Sequence, residues 1–166
     1  YVGRGDEQKD LPNLFKAFEK ISQKHSDTIL IAVGLGLDKY KPSSERIKFL
    51  GQRSDVQDIM LSFDLLCLSS RAEGFPNVIG EAMSSGLPCV TTDVGDARNI
   101  VAETGWVAPP RDSNQLASCL DAALTLTPEE LKNLGNLARE RIINNFSMIS
   151  VKEKYITLYR SMTKLK

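Results

Sequence analysis

The chain has no excess of either charge, because 21 lysines and arginines balance 21 aspartates and glutamates among its 166 residues. Nucleic-acid-binding domains normally carry a visible basic excess, so this balance argues against a nucleic-acid partner. No apolar run approaches the ~20 residues that a membrane-spanning helix needs. With 42% hydrophobic and 25% charged residues, the composition is typical of one ordinary globular domain.

Cysteine and histidine are scarce, at three residues and one residue respectively. The odd count and wide spacing of Cys67, Cys89 and Cys119 fit neither a disulfide framework nor a metal-binding motif. Cys67 and Cys89 lie in apolar, strand-like runs, and Cys119 lies in a helical pattern. We therefore expect buried, reduced thiols and a cytoplasmic protein.

Strand-like and helix-like segments alternate along the whole chain. Apolar and β-branched runs predict strands at residues 28–33, 47–50, 64–68, 88–92 and 106–107, and a further strand ending at Tyr1-Val2. Helical patterns occupy residues 55–62, 77–85, 113–126, 128–145 and 151–162, with others after a capping Asp10 and up to Val101. We expect a polar loop at residues 39–44. This alternation predicts an α/β fold: a Rossmann-like, doubly wound parallel sheet of about five or six strands with helices on both faces.

Glycines follow most of the predicted strands. They stand at Gly3, Gly34, Gly36, Gly51, Gly74 and Gly95. In an open α/β sheet the ligand crevice lies outside the carboxyl ends of the strands. We therefore expect these loops to line one binding crevice.

The most informative segment is Glu73-Gly74-Phe75-Pro76-Asn77-Val78, followed by Glu81-Ala82-Met83. It joins a buried strand to a helix, and the first N–H groups of a helix lack partners within it. Such a helix start binds anions. One glutamate precedes this anion site and the other lies about one turn into the helix. A phosphate site flanked by carboxylates that can bind hydroxyls fits a nucleotide sugar.

Five segments then stand in order: Val2-Gly3-Arg4 with Lys9-Asp10, Phe49-Leu50-Gly51, the paired-glutamate segment, residues 86–95 and residues 105–110. Together they resemble the C-terminal, donor-binding lobe of the retaining glycosyltransferases of family 4 (glycosyl transferases group 1), which have the GT-B fold. The resemblance covers nearly the whole chain. It departs from the family at Asp96, where a second glycine is common, but this lies outside the paired-glutamate segment.

The resemblance assigns roles to particular residues. Glu73 would contact the donor sugar, while Arg4 and Lys9 would hold the diphosphate, and these three are the implied catalytic residues. Glu81 would bind the ribose hydroxyls, and Arg53 would lie beside the base. The other implied donor-binding residues lie on the glycine loops and the helix start: Gly3, Gly34, Gly36, Gly74, Phe75, Pro76, Asn77 and Val78. Phe75 fits side-chain packing as well as ligand contact.

The implied reaction transfers a hexose from an NDP-sugar, with retention at the anomeric carbon, to a polysaccharide, lipopolysaccharide or glycolipid acceptor. The resemblance implies no cofactor and no metal, and the sequence has no Asp-x-Asp element. The saccharide or lipid-linked acceptor would bind an N-terminal lobe that residues 1–166 do not include.

We therefore expect one nucleotide-sugar-binding domain, a fragment of a two-lobed enzyme, that binds donor weakly and transfers no sugar alone. We expect a cytoplasmic location, with peripheral contact at the inner face of the cell membrane only through the missing lobe.

Other functions stay open. A sugar-nucleotide epimerase or a phosphorylase shares the two-lobed fold, but a phosphorylase needs a pyridoxal lysine, and no lysine stands out after a strand. The paired glutamates give an epimerase no support. A non-catalytic nucleotide-sugar-binding module would keep the fold, but it would not need to keep Glu73, Glu81, Arg4 and Lys9 together.

Overall fold

The structure, a computed structural model, describes residues 1–40 and 44–163. Part of the loop predicted at residues 39–44 lies outside these residues. The strands are β1 (Leu30–Val33), β2 (Ile47–Gly51), β3 (Leu66–Leu68), β4 (Cys89–Thr92) and β5 (Gly105–Ala108). The helices are α1 (Leu11–Lys24), α2 (Val56–Met60), α3 (Asn77–Ser84), α4 (Ala97–Val101), α5 (Ser113–Leu124), α6 (Pro128–Phe146) and α7 (Met148–Thr163). Short 3-10 turns precede α1 (Glu7–Lys9) and β5 (Ala102–Thr104).

All strand pairs are parallel, and the strands form two hydrogen-bonded groups. One group has the order β2-β1, and Val2 extends it through a parallel bridge to Val33; the other has the order β3-β4-β5. The expected single sheet is thus interrupted between the Val2 segment and β3. The segment at this edge of β1 is short, since only residues 1–3 bond to β1 there, through Tyr1 and Gly3.

The two strand groups share one hydrophobic core. β3 and β4 are buried at every position, as expected for parallel strands covered on both faces. α1 packs against α5, whereas α3 packs against α4 and α6, so the helices form two groups around the strands. α7 packs mainly against α6 and buries no residue. This is the α/β, parallel-sheet architecture that the alternation of segments predicts.

Helix starts follow local sequence signals in two cases and depart from them in one. Asp112 caps α5 by accepting bonds from the N–H groups of residues 114 and 115. Thr127 and Glu130 form a capping box at the start of α6. Asp10 is the cap residue of α1, as predicted, but its side chain makes no capping hydrogen bond. Its main chain occupies the cap position in a left-handed conformation, but its carboxylate bonds to Arg71 instead.

The loops after the strands lie together at one end of the molecule. Gly5 N donates to Leu35 O and Gly34 N to Gly51 O, which joins the first loop to those after β1 and β2. Arg71 N donates to Gln8 O and Asp96 N to Gly74 O, which joins the loops after Val2, β3 and β4. The glycine-containing loops that were predicted to line one crevice are therefore brought together at the carboxyl ends of the strands.

Candidate functional site

Lys9 and Glu73 form an ion pair between the first loop and the loop after β3. The Lys9 Nζ lies 2.6 Å from Glu73 Oε1, and the two side chains are only 17% and 10% exposed. Arg71 N donates to Gln8 O at 2.7 Å, and Gln8 Nε2 donates to Ala72 O at 2.6 Å. Because main-chain bonds accompany the ion pair, the two loops are held at a fixed separation.

Buried hydroxyls that were not predicted from the sequence support this pair. Ser70 Oγ donates to Glu73 Oε1 at 2.6 Å, and Ser69 Oγ donates to Lys9 O at 2.8 Å. Thr92, the last residue of β4, donates its hydroxyl to Ser70 O at 2.6 Å. The one sequence signal was the position of Ser70, three residues before Glu73 in a turn-rich loop. The other two bonds depend on how distant loops meet.

The start of α3 carries amides that no described residue satisfies. Pro76 is at the cap position and provides no side-chain bond, and Ile79 N donates to Pro76 O. The N–H groups of Asn77 and Val78 find no acceptor among residues 1–40 and 44–163. Unpaired amides at a helix start attract anions. The backbone feature on which the predicted anion site depends is therefore present, and binding of an anion there stays a prediction.

The turn before α3 is held by the loop after β4. Asp96 N donates to Gly74 O at 2.9 Å. Gly95 has φ 52°, and a Cβ there would lie 2.1 Å from Gly74 O. Only glycine allows this close approach. Further along α3, Glu81 is exposed, and its carboxylate makes no hydrogen bond or ion pair within the described part of the chain.

Arg4 is not brought to the Lys9–Glu73 pair. Its guanidinium is 73% exposed and lies 3.1 Å from the Asp6 carboxylate. The main chain of Arg4 is held by Tyr1, whose hydroxyl donates a hydrogen bond to Arg4 O at 2.6 Å. Burial, with neighbouring charges that include Glu73, raises the pKa of the Tyr1 hydroxyl.

Arg53 is also paired locally rather than directed at the site. It makes two hydrogen bonds to the Asp55 carboxylate, at 2.8 and 2.7 Å, and both side chains are exposed. These bonds lower the pKa of Asp55. The bonds to Asp55 use Nε and Nη2 of Arg53, and no hydrogen bond within the described residues joins Arg53 to the Lys9–Glu73 pair or to α3.

The glycines of the first two loops pack main chain against main chain. A Cβ on Gly34 would lie 1.9 Å from Gly3 O, and one on Gly5 would lie 2.0 Å from Gly36 O. The geometry therefore gives Gly3, Gly34 and Gly36 a packing role at the edge of the crevice. Their predicted contact with a donor stays a prediction.

Phe75 packs on another helix while staying half exposed. Its ring centroid lies 5.9 Å from that of Phe146 at the end of α6, and 48% of the residue is exposed. Of the two roles that the sequence left open for Phe75, side-chain packing is therefore observed in the structure.

A cavity of about 500 Å³ lies away from this site, beside the amino ends of β1 and β3. Its lining includes Tyr1, Ile29, Leu65 and Cys67, and none of the predicted site residues. Burial lowers the pKa of the Tyr1 ammonium to about 6 and raises that of the Cys67 thiol to about 12. The lining also includes Asp27 and Asp64, but it contains neither the Lys9–Glu73 pair nor the start of α3, so the cavity is separate from the candidate site.

Within residues 1–40 and 44–163, no group of three or more histidine, cysteine, aspartate or glutamate side chains is placed to hold a metal ion. No helix in the same residues is long and apolar enough to cross a membrane.

Comparisons with known proteins agree with this geometry. The family model for glycosyl transferases group 1 matches residues 1–125. The chain is 32% identical over 162 residues to N-acetyl-alpha-D-glucosaminyl L-malate synthase of Bacillus anthracis, covering 91% of this chain and 42% of that protein. It is 29% identical over 119 residues to UDP-Gal:alpha-D-GlcNAc-diphosphoundecaprenol alpha-1,3-galactosyltransferase of Escherichia coli, covering 71% and 30%. The structure of Anabaena HepE in complex with UDP matches with a TM-score of 0.80 at 24% identity, covering 96% and 48%.

The chain therefore belongs to the glycosyl transferases group 1 family, and its fold is that of the GT-B glycosyltransferases. It spans less than half the length of the curated relatives that it matches.

Proposed function

We propose that this chain is the donor-binding half of a retaining glycosyltransferase that moves a hexose from an NDP-sugar to a polysaccharide, lipopolysaccharide or glycolipid acceptor. The observation that carries the proposal is the largely buried Lys9–Glu73 pair. Glu73 lies four residues before Asn77, the first residue of α3 with an unpaired amide. A cation, a carboxylate and free amides are the groups that a diphosphate joined to a sugar requires.

Each group has a physical role in this proposal. Lys9 and the α3 amides stabilise the negative charge that grows on the diphosphate as it leaves. Glu73 accepts a hydrogen bond from a hydroxyl of the donor sugar, and the exposed carboxylate of Glu81 accepts from the ribose. Arg4 joins Lys9 at the diphosphate, because an exposed ion pair such as Arg4–Asp6 contributes only about 0–1 kcal/mol and is readily exchanged.

Two related proteins support a nucleotide-sugar donor, and one of them supports retention. The Escherichia coli relative uses UDP-Gal and forms an alpha-1,3 bond. Because UDP-galactose carries its sugar in the α configuration, an α product corresponds to retention. The Anabaena relative was solved with UDP bound.

The proposal includes no metal and no cofactor, because Lys9, Arg4 and the α3 amides provide the positive charge that the leaving diphosphate needs. The acceptor binds a second, N-terminal lobe outside these residues. We propose a cytoplasmic enzyme whose contact with the membrane is made by that lobe.

Glu73→Gln in the two-lobed protein tests the proposal. The change keeps the side chain's shape and removes its charge, and we expect at least a ~100-fold loss of turnover, the size seen when a group that stabilises the transition state is removed. Turnover is measured as nucleotide release from UDP-glucose, UDP-galactose, UDP-N-acetylglucosamine and GDP-mannose. Glu140→Gln, an exposed carboxylate on α6, is the matched control. Unchanged turnover in a folded Glu73→Gln protein would contradict the proposal.

A further inference from the structure

The two oxygens of the Glu73 carboxylate have different surroundings. Oε1 accepts from Lys9 Nζ and from Ser70 Oγ, each at 2.6 Å. Oε2 has no hydrogen-bond partner among residues 1–40 and 44–163. Two donors on one oxygen fix the rotation of the carboxylate, and the other oxygen is left for a ligand.

We propose that Ser70 is a positioning residue for sugar transfer, because its hydroxyl holds Glu73 Oε1 and so presents Oε2 to the donor sugar. The inference rests on the proposed function of Glu73 and assigns to that site a residue that touches no substrate. Thr92 is the second member of this arrangement, since it fixes the main chain of Ser70.

Lys9 alone cannot hold the carboxylate once the donor is bound. Its ammonium ends a flexible four-carbon stem, and a bound diphosphate attracts it away from Glu73. Ser70 is uncharged and fully buried, so the diphosphate does not displace it. The Ser70–Glu73 bond is therefore the contact that persists in the donor complex.

The position of Ser70 is set by the sheet. Its carbonyl accepts from Thr92 Oγ1 at 2.6 Å, and Thr92 is fully buried at the carboxyl end of β4. A buried carbonyl bonded to a strand end moves little, because breaking that bond leaves a polar group unsatisfied. The orientation of Glu73 is thus tied to the rigid part of the fold rather than to its own loop.

Ser70→Ala in the two-lobed protein tests the proposal. We expect a ~10-fold loss of turnover, since the hydrogen bond that orients the charged Glu73 carboxylate in the donor complex is lost. Ser22→Ala is the matched control: Ser22 is a buried serine on α1 whose hydroxyl bonds to a main-chain carbonyl, and its truncation should leave turnover unchanged.

A binding measurement separates positioning from simple loosening of the fold. Because Glu73 is proposed to contact the sugar, Ser70→Ala should lower the affinity for UDP-glucose or GDP-mannose several-fold. The affinity for UDP or GDP without a sugar should stay unchanged. An equal loss for the nucleotide and its sugar conjugate would indicate a structural role and overturn the proposal. If Ser70→Ala does not fold, Thr92→Val removes the bond to the Ser70 carbonyl, and the same comparison applies with a smaller loss.

A double-mutant cycle distinguishes this inference from the function on which it rests. Ser70→Ala should cause no further loss of turnover in the Glu73→Gln background, because the charge that it orients is already absent. If the losses of turnover from the two substitutions add, the Ser70 proposal is refuted. It is also refuted, without affecting the proposed function, if Ser70→Ala keeps full turnover while Glu73→Gln is inactive. An active Glu73→Gln protein would refute the proposed function itself.

Discussion

Single glycines decide how closely the loops of the site approach one another. Gly95 has φ 52°, and a Cβ there would lie 2.1 Å from Gly74 O. We expect Gly95→Ala to lower the free energy of unfolding by about 1–3 kcal/mol, because the new methyl group is strained in its own conformation and displaces the turn before α3. Urea denaturation measures this change.

Gly80→Ala is the opposite case and the control. Gly80 lies inside α3, and a Cβ there meets nothing within 4 Å. We expect this substitution to raise the free energy of unfolding by about 0.5–1 kcal/mol, the usual gain of alanine over glycine in a helix. Equal stability of the two variants would show that the Gly95–Gly74 contact is not required.

Asp10 and Arg71 form an ion pair whose carboxylate is almost fully buried. The Asp10 side chain is 4% exposed, and its Oδ1 lies 2.8 Å from Arg71 Nη2. We expect Arg71→Ala to lower the free energy of unfolding measurably, since the buried Asp10 charge loses its partner. Arg98→Ala breaks a pair whose carboxylate, Asp93, is exposed, so its effect on the free energy of unfolding should be smaller. Equal denaturation midpoints of the two variants would contradict this difference.

The residues of the site were only partly predictable from sequence. Lys9 and Glu73 were predicted and lie in contact. Ser70 and Thr92 were missed, and Asp10 was given the wrong partner. These contacts depend on where loops from different strands meet, and local spacing does not contain that information. Arg4 and Arg53 were predicted at the site, yet each is paired with a nearby aspartate in the structure.

At the scale of elements, a charge cluster joins α1 to α5. Asp121 Oδ2 accepts from Lys24 Nζ at 2.7 Å, and Oδ1 lies 2.7 Å from His25 Nε2. The bonds from Lys24 and then His25 lower the pKa of Asp121. A lowered carboxyl pKa adds stability above its unfolded value of about 4, and this contribution is lost as the pH falls through and below that value.

The stability difference between the wild type and Asp121→Asn should therefore be present at about pH 7 and shrink toward about pH 3. Urea denaturation at both pH values measures it, with Asp58→Asn, an exposed carboxylate on α2, as the baseline. A difference that is the same at both pH values would show that the Asp121 charge does not stabilise the contact between α1 and α5.

Most elements were predictable because their signals are local. The capping box at Thr127 and the apolar run at residues 88–92 are each recognised within a few residues, and the structure contains both α6 and β4 there. The ends differ by three residues at most, with α7 starting at Met148 rather than Val151. The interruption between the two strand groups was not predicted, because it depends on how many residues reach the edge of β1.

At the scale of the molecule, α7 carries an apolar face that is largely exposed. Val151 is half buried, and the other members are exposed: Tyr155, Leu158, Tyr159 and Met162.

The donor site itself can be tested on the 166-residue chain. The most direct measurement is amide chemical-shift NMR during titration with UDP, GDP, UDP-glucose and GDP-mannose, repeated with Glu81→Ala and with Glu140→Ala as the control. If these residues form the donor site, we expect selective binding of one nucleotide and chemical-shift changes at the amides of Asn77 and Val78. Glu81→Ala should bind more weakly, whereas Glu140→Ala should bind like the wild type. No shift with any of the four compounds at millimolar concentration, or equal binding by Glu81→Ala, would contradict this expectation.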